Sequence, residues 1–173
     1  FLENWRSAQL LIEEELPAIY LTRHEFPHKG EKAARWELTV AVRLEGFESG
    51  AIRPHEDTRP RAKDDRLKLM LASGTNVSPV MLLFDDWGGS WQILQQACDE
   101  RNPIEADFDG RERFLTWPIM EPAAIQEIRG ALMSQPLYIA DGHHRYETAL
   151  TYRQRMAARQ PEWRGDEASN FVM

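Results

Sequence analysis

The feature that most limits the fold of this chain is residues 136–150, PLYIADGHHRYETAL. A short apolar run, Tyr138-Ile139-Ala140, meets Asp141-Gly142 and then a pattern of helical period, so a strand turns directly into a helix there. On a helical wheel begun at His143, the apolar stripe is Tyr146, Ala149, Leu150, Met156 and Ala157. His143 and Arg145 lie at its two edges and His144 points away, so both histidines are expected in the first turn and off the core face. Glu147 is four residues from His143 and three from His144, within reach of either. Arg153 falls in the middle of the stripe, where a charge needs a partner or must snorkel its head to the surface.

That corner has anion chemistry. The first N–H groups of a helix have no intrahelical partner, and the macrodipole favours negative charge beside them. Gly142 has no side chain to block close approach of a phosphate. Arg145 offers a two-bond grip on phosphate oxygens, and Asp141 suits the N-cap. The plainer alternative is a cap, a turn and ordinary polar side chains. The five groups together are denser than capping requires.

A second charged run, HEDTRPRAKDDR at 55–66, precedes and enters a predicted helix over 62–73 with Leu67, Met70 and Leu71 inward. Such a run is usually a solvated loop. His55, Glu56 and Asp57, however, carry the groups that a proton-transfer or metal site uses. Lys63 and Arg66 fall on consecutive helical turns, where they could serve one anion together.

The remaining pattern places a helix over 2–15 and alternating strands over 18–26 and 35–45 joined by a turn. A buried strand is expected over 78–86, then, after Gly88-Gly89, a helix over 90–101 containing Cys98. A hairpin over 103–108 and 112–119, a helix over 121–134, a strand over 137–140 and a helix over 143–160 complete it. The fold class is α/β or α+β, a mixed and largely antiparallel sheet with packed helices. At 173 residues the chain reads as a single domain, with a helix and hairpin in 1–50 and the site-bearing part in 51–173. It starts inside a helical pattern and stops where a strand begins, which suggests a fragment of a longer protein. The formal charge of −7 argues against direct DNA binding. One cysteine excludes a disulfide framework. Without a long apolar run or signal-peptide order, a cytoplasmic location and no membrane partner are expected. The oligomeric state is left open.

PLYIADGHHRYETAL, with IRPHEDTRPRAKDDRLKL and NVSPVMLLFDD upstream, resembles the bacterial and archaeal family called domain of unknown function 1015. GHHRYETA is also similar to segments of sulfiredoxin, of ParB-like proteins and of the free-serine kinases built on that fold. This second resemblance covers the last third of the chain and implies a ParB/sulfiredoxin-like core around 137–160. It implies that Gly142, His144 and Arg145 contact nucleotide phosphates, and that Glu56 stands for the kinases' base. His143 stands where sulfiredoxin has its reactive cysteine, so sulfinic-acid repair is not implied.

The leading expectation is thus a nucleotide-dependent phosphotransferase or phosphohydrolase, with ADP, ATP or CTP and Mg as the ligand. Gly142, His144 and Arg145 would hold phosphates, with Lys63 and Arg66 offsetting transferred charge. Glu56 or His55 would take a proton, and His143 would serve as acid/base or phosphate carrier. Asp57 or Asp141 would bind Mg. One alternative is a metal-dependent hydrolase using His143 and Glu147 with His55 or Asp57. Another is a non-catalytic nucleotide-binding switch or protein-binding module.

Overall fold

A computed structural model of the chain describes residues 2–86, 89–98, 102–133 and 135–173. In chain order the elements are α1 (Leu2–Ser7), β1 (Ile19–His28), β2 (Glu31–Thr39), β3 (Val42–Arg43), β4 (Ile52–Arg53), α2 (Pro60–Ser73) and β5 (Met81–Leu83). They continue with α3 (Ser90–Cys98), β6 (Ile104–Phe108), β7 (Glu112–Ile119), α4 (Pro122–Leu132), β8 (Leu137–Asp141), α5 (His143–Ala157) and β9 (Phe171–Val172). The fold is mixed α+β with largely antiparallel sheets; among the described strands only β4 and β8 pair in parallel. The sequence reading has one domain divided near residue 50. Contacts instead gather the chain into two compact units, Phe1–Val40 with Asp86–Ser134, and Ala41–Asp85 with Gln135–Met173.

The first unit is a four-stranded antiparallel sheet in the order β2-β1-β7-β6, with α3 and α4. Lys29 and Gly30, both at positive φ, close the β1–β2 hairpin as a two-residue turn that matches strand twist. Asp109 and Gly110 do the same work in the β6–β7 connection. Leu21, Leu94, Ile119 and Ile128 form the core, and each such burial stabilises by roughly 1.5–3 kcal/mol. Cys98 is half-buried against it. The helical spacing over 2–15 is realised only as far as Ser7. Gln9 takes φ 53° while the Leu10 N–H bonds the Trp5 carbonyl and the Gln9 N–H bonds the Arg6 carbonyl. That is a Schellman closure. Leu10, Ile12 and Leu16 beyond it are exposed, so no packed face sustains a longer helix. Gly88, residues 99–101 of the expected 90–101 helix and residue 134 of the expected 121–134 helix lie outside the described residues.

The second unit holds the three-stranded sheet β4-β8-β5, the pair β3-β9, and helices α2 and α5 packed on each other. Its core is Leu44, Ile52, Val80, Ile139, Tyr146, Ala149 and Val172. The run 35–45, read as one strand, is two: β2 ends at Thr39 and β3 pairs with β9. The run 78–86, read as a buried strand, is an edge strand covered on one face only: Leu82 packs against the core while Met81 and Leu83, on the opposite face, are exposed. Tyr146 has no exposed surface, and its hydroxyl accepts from the Glu45 N–H and donates to the Glu45 carbonyl, both at 2.9 Å. Arg153 is half-buried, and its guanidinium donates to the Leu44 carbonyl. Among the described residues, no helix is long and apolar enough to cross a membrane.

Candidate functional site

The predicted strand-to-helix corner forms where it was expected. β8 carries Ile139 into the core and ends at Asp141; Gly142 alone, at φ 96°, makes the change of direction into α5. A left-handed residue followed by a right-handed helical one arranges successive N–H groups as a concave nest, a known anion-binding shape. Only glycine suits this position. A Cβ would stand 2.9 Å from Arg145 Nε, and a φ of that sign strains any L side chain. No side chain caps α5, so Asp141 is not the N-cap. It faces Arg145, whose Nη2 donates to Asp141 Oδ2.

Arg145 is therefore not an open fork. Its Nη1 donates to Ser78 Oγ at 2.8 Å and to the Pro79 carbonyl, tying the approach to β5 onto α5. Its charge also sits at the positive end of the helix macrodipole, which Asp141 and these oxygens offset. Ser78 and Pro79 were missed by sequence reasoning; a separation of 67 residues leaves no local signal.

The two histidines behave differently from expectation. His143 is only 3 % exposed and belongs to the interior, not off the core face. The stripe wraps far enough round α5 to take its edge position inside. Its Nε2 accepts the His55 N–H at 3.2 Å, its Nδ1 lies 3.7 Å from Glu56 Oε2, and its ring meets the His55 ring edge-on at 4.5 Å. With Nε2 accepting, a neutral ring carries its proton on Nδ1, facing Glu56. Nε2 is thus committed to the loop backbone, and Nδ1 faces the Glu56 carboxylate without bonding it. His144 is half-buried, and its Nε2 accepts the Arg59 N–H at 3.0 Å, so that atom is already committed and is not an open phosphate contact.

Among the described residues Glu147 hydrogen-bonds neither histidine. Its Oε2 accepts from Thr58 Oγ1 at 2.7 Å and from Lys63 Nζ at 2.6 Å. Burial pushes its pKa up, but the Lys63 and Thr58 hydrogen bonds, with the Lys63 and His144 charges, outweigh it and hold the carboxyl below the usual glutamate range. Lys63 and Arg66 thus do not serve one anion together. Lys63 is paired with Glu147, and with Asp64, Leu67, Thr148, Thr151 and Arg155 it lines a separate cleft between α2 and α5.

Arg66 does converge on the corner. It lines a polar cleft of about 150 Å³ with Glu56, Asp141, Gly142, His143, His144 and Arg145. Of the loop residues, Glu56 enters this cleft. His55 contributes its backbone and ring to His143, and Asp57 is exposed and lines neither cleft. The donor set does not fit Mg: Asp141 is held by Arg145 and Asp57 lies apart. A site from His143 and Glu147 likewise has its glutamate committed to Lys63. Among the described residues, no three His, Cys, Asp or Glu side chains are grouped to hold a metal.

A family model described as a protein of unknown function (DUF1015) matches residues 1–173. No curated protein and no solved structure matches the chain.

Proposed function

The chain belongs to the DUF1015 family, and from that premise we propose that it binds the terminal phosphate of a small phosphorylated ligand, a nucleotide in the first instance, and transfers or hydrolyses that group. The observation that carries this reading is the convergence of Arg66 and Glu56 on the uncapped N-terminus of α5 at Gly142. The nest and the helix dipole supply fixed positive potential, Arg66 is the exposed cation, and Glu56 is a carboxylate beside them. The cleft is smaller than the several hundred Å³ that encloses a drug-sized ligand. It therefore takes a phosphoryl group and leaves base and ribose outside.

In the proposed reaction Glu56 accepts the proton of the attacking hydroxyl or water as its oxygen bonds the terminal phosphorus; the bridging P–O bond breaks and the nucleotide leaves one phosphate shorter, while Arg66 and the α5 N-terminus stabilise charge on the transferred group. His143 orients Glu56 from within the core. The likeness of GHHRYETA to ParB-like and sulfiredoxin segments points to the same corner through Gly142, while the His144 and Arg145 it also implies are bonded within the chain. The test is calorimetry with ADP, ATP and CTP, Mg supplied in solution, followed by assay of released phosphate. Binding that weakens in Arg66→Ala, with turnover that collapses in Glu56→Gln, is the expected result. Binding without turnover would make the protein a nucleotide-binding module. If none of the three nucleotides binds and Arg66→Ala changes nothing, the proposal fails.

A further inference from the structure

The loop at 55–59 brings Glu56 to the cleft, yet it has no apolar anchor of its own: His55, Glu56, Asp57 and Arg59 are all exposed. A segment with so little buried surface should open locally at small free-energy cost. Four hydrogen bonds to one face of α5 oppose that opening. The His55 N–H goes to His143 Nε2, the Thr58 hydroxyl to Glu147 Oε2, the Arg59 N–H to His144 Nε2, and Lys63, one turn into α2, to Glu147 Oε2. Positions 143, 144 and 147 present these acceptors together on the first turns of a helix, which is why the two histidines stand side by side.

We propose that His144 and Glu147 are positioning residues: with the buried His143 they latch loop 55–59 onto α5 and so hold Glu56 at the cleft. The inference rests on the reading of the cleft as a phosphate site, but the latch itself is a property of the free protein. A backbone N–H needs a lone pair opposite it. An alanine at 144 has none, whereas a glutamine presents Oε1 at similar reach. The Arg59 donor can be removed from the other side as well. Its φ of −90° and ψ of 130° are extended and within about 25° of the φ that proline fixes, and proline has no N–H.

The experiment is amide hydrogen exchange on the whole chain for wild type, His144→Ala, His144→Gln and Arg59→Pro, paired with inorganic phosphate affinity and the rate of phosphate release from ATP. In His144→Ala the His55 and Arg59 amides, the two loop N–H groups bonded to α5, should exchange about tenfold faster, the loss expected for one net hydrogen bond. His144→Gln should restore protection. Release of phosphate from ATP should fall in His144→Ala through kcat, with phosphate affinity within about twofold of wild type, since Gly142 and Arg66 still form the cradle. Arg59→Pro should reproduce the faster exchange at His55 without touching α5, and it decides the matter if His144→Ala does not fold. Unchanged exchange in both His144→Ala and Arg59→Pro overturns the latch, as does failure of glutamine to rescue. A wild-type chain that neither binds phosphate nor releases it from ATP overturns the function reading, while the exchange pattern still judges the latch.

Discussion

Two helix starts in this protein solve the same electrostatic problem in opposite ways. At α3, Asp86 supplies the anion from within the chain: its Oδ1 accepts the Ser90 N–H and hydroxyl at 2.7 and 2.6 Å, and its Oδ2 accepts the Trp91 N–H at 3.0 Å. The Ser90 hydroxyl bond, with the two backbone N–H bonds and against partial burial, holds this carboxyl below the usual aspartate range. At α5 no side chain caps the first turn, and Asp141, the carboxylate that precedes it in the chain, is turned to Arg145. The first terminus is capped by a side chain of its own sequence; the second has no side-chain cap. The charge is divided in the same sense. The unit containing α3 carries nine basic and sixteen acidic residues, whereas the unit containing α5 carries twelve of each. The whole of the net −7 resides in the first. An anion approaching α5 meets a neutral unit, and one approaching α3 meets both a negative unit and an occupied cap.

The largest expected effect comes from filling the open terminus. Phosphate at a hundred times its Kd should raise the unfolding free energy by about 2.7 kcal/mol, read from denaturant curves with and without the ion. Gly142→Ala should lose that response and, through strain at φ 96° and the contact with Arg145, cost about 2 kcal/mol without phosphate. If phosphate protects Gly142→Ala as well as wild type, the contrast between the termini is false. Asp86→Ala should cost about 1 kcal/mol, as loss of a helix cap does, and keep the full phosphate response.

Glu147 sharpens the comparison through pH. Its folded-state pKa is lowered, so its contribution is complete above the ordinary glutamate value and is lost as pH falls through the lower folded value. Glu147→Gln should therefore destabilise near neutrality, approach wild type in acid, and flatten the acid limb of stability against pH. The smallest stability change, within about 0.5 kcal/mol, belongs to exposed Arg66→Ala. Its signature should be weaker phosphate binding measured by calorimetry.

Much of the fold was legible in the sequence, because short-range rules govern it. The hairpin turns declare themselves through Lys29-Gly30 and Asp109-Gly110, and the corner at Gly142 through an apolar run stopped by a glycine. Helix length over 2–15 was not legible: spacing shows which face could be buried, and only a packed partner decides whether it is. The same limit hid the roles within the site. Glu56 and Arg66 were singled out by charge, and both reach the cleft. Arg145, His144 and Lys63 were singled out by the same signal and are bonded instead to Pro79 and Ser78, to Arg59 and to Glu147.

The sequence by itself determined the mixed α+β pattern, the strand–glycine–helix corner and the polar chemistry gathered at it, since these follow from periodicity and backbone freedom within a few residues. Only the tertiary structure decided which of those polar groups are bonded within the chain. A hydrogen bond between residues more than eighty positions apart depends on where the chain returns, and that is set by the burial of Ile139, Tyr146 and Ala149 in the core rather than by the residues that form the bond.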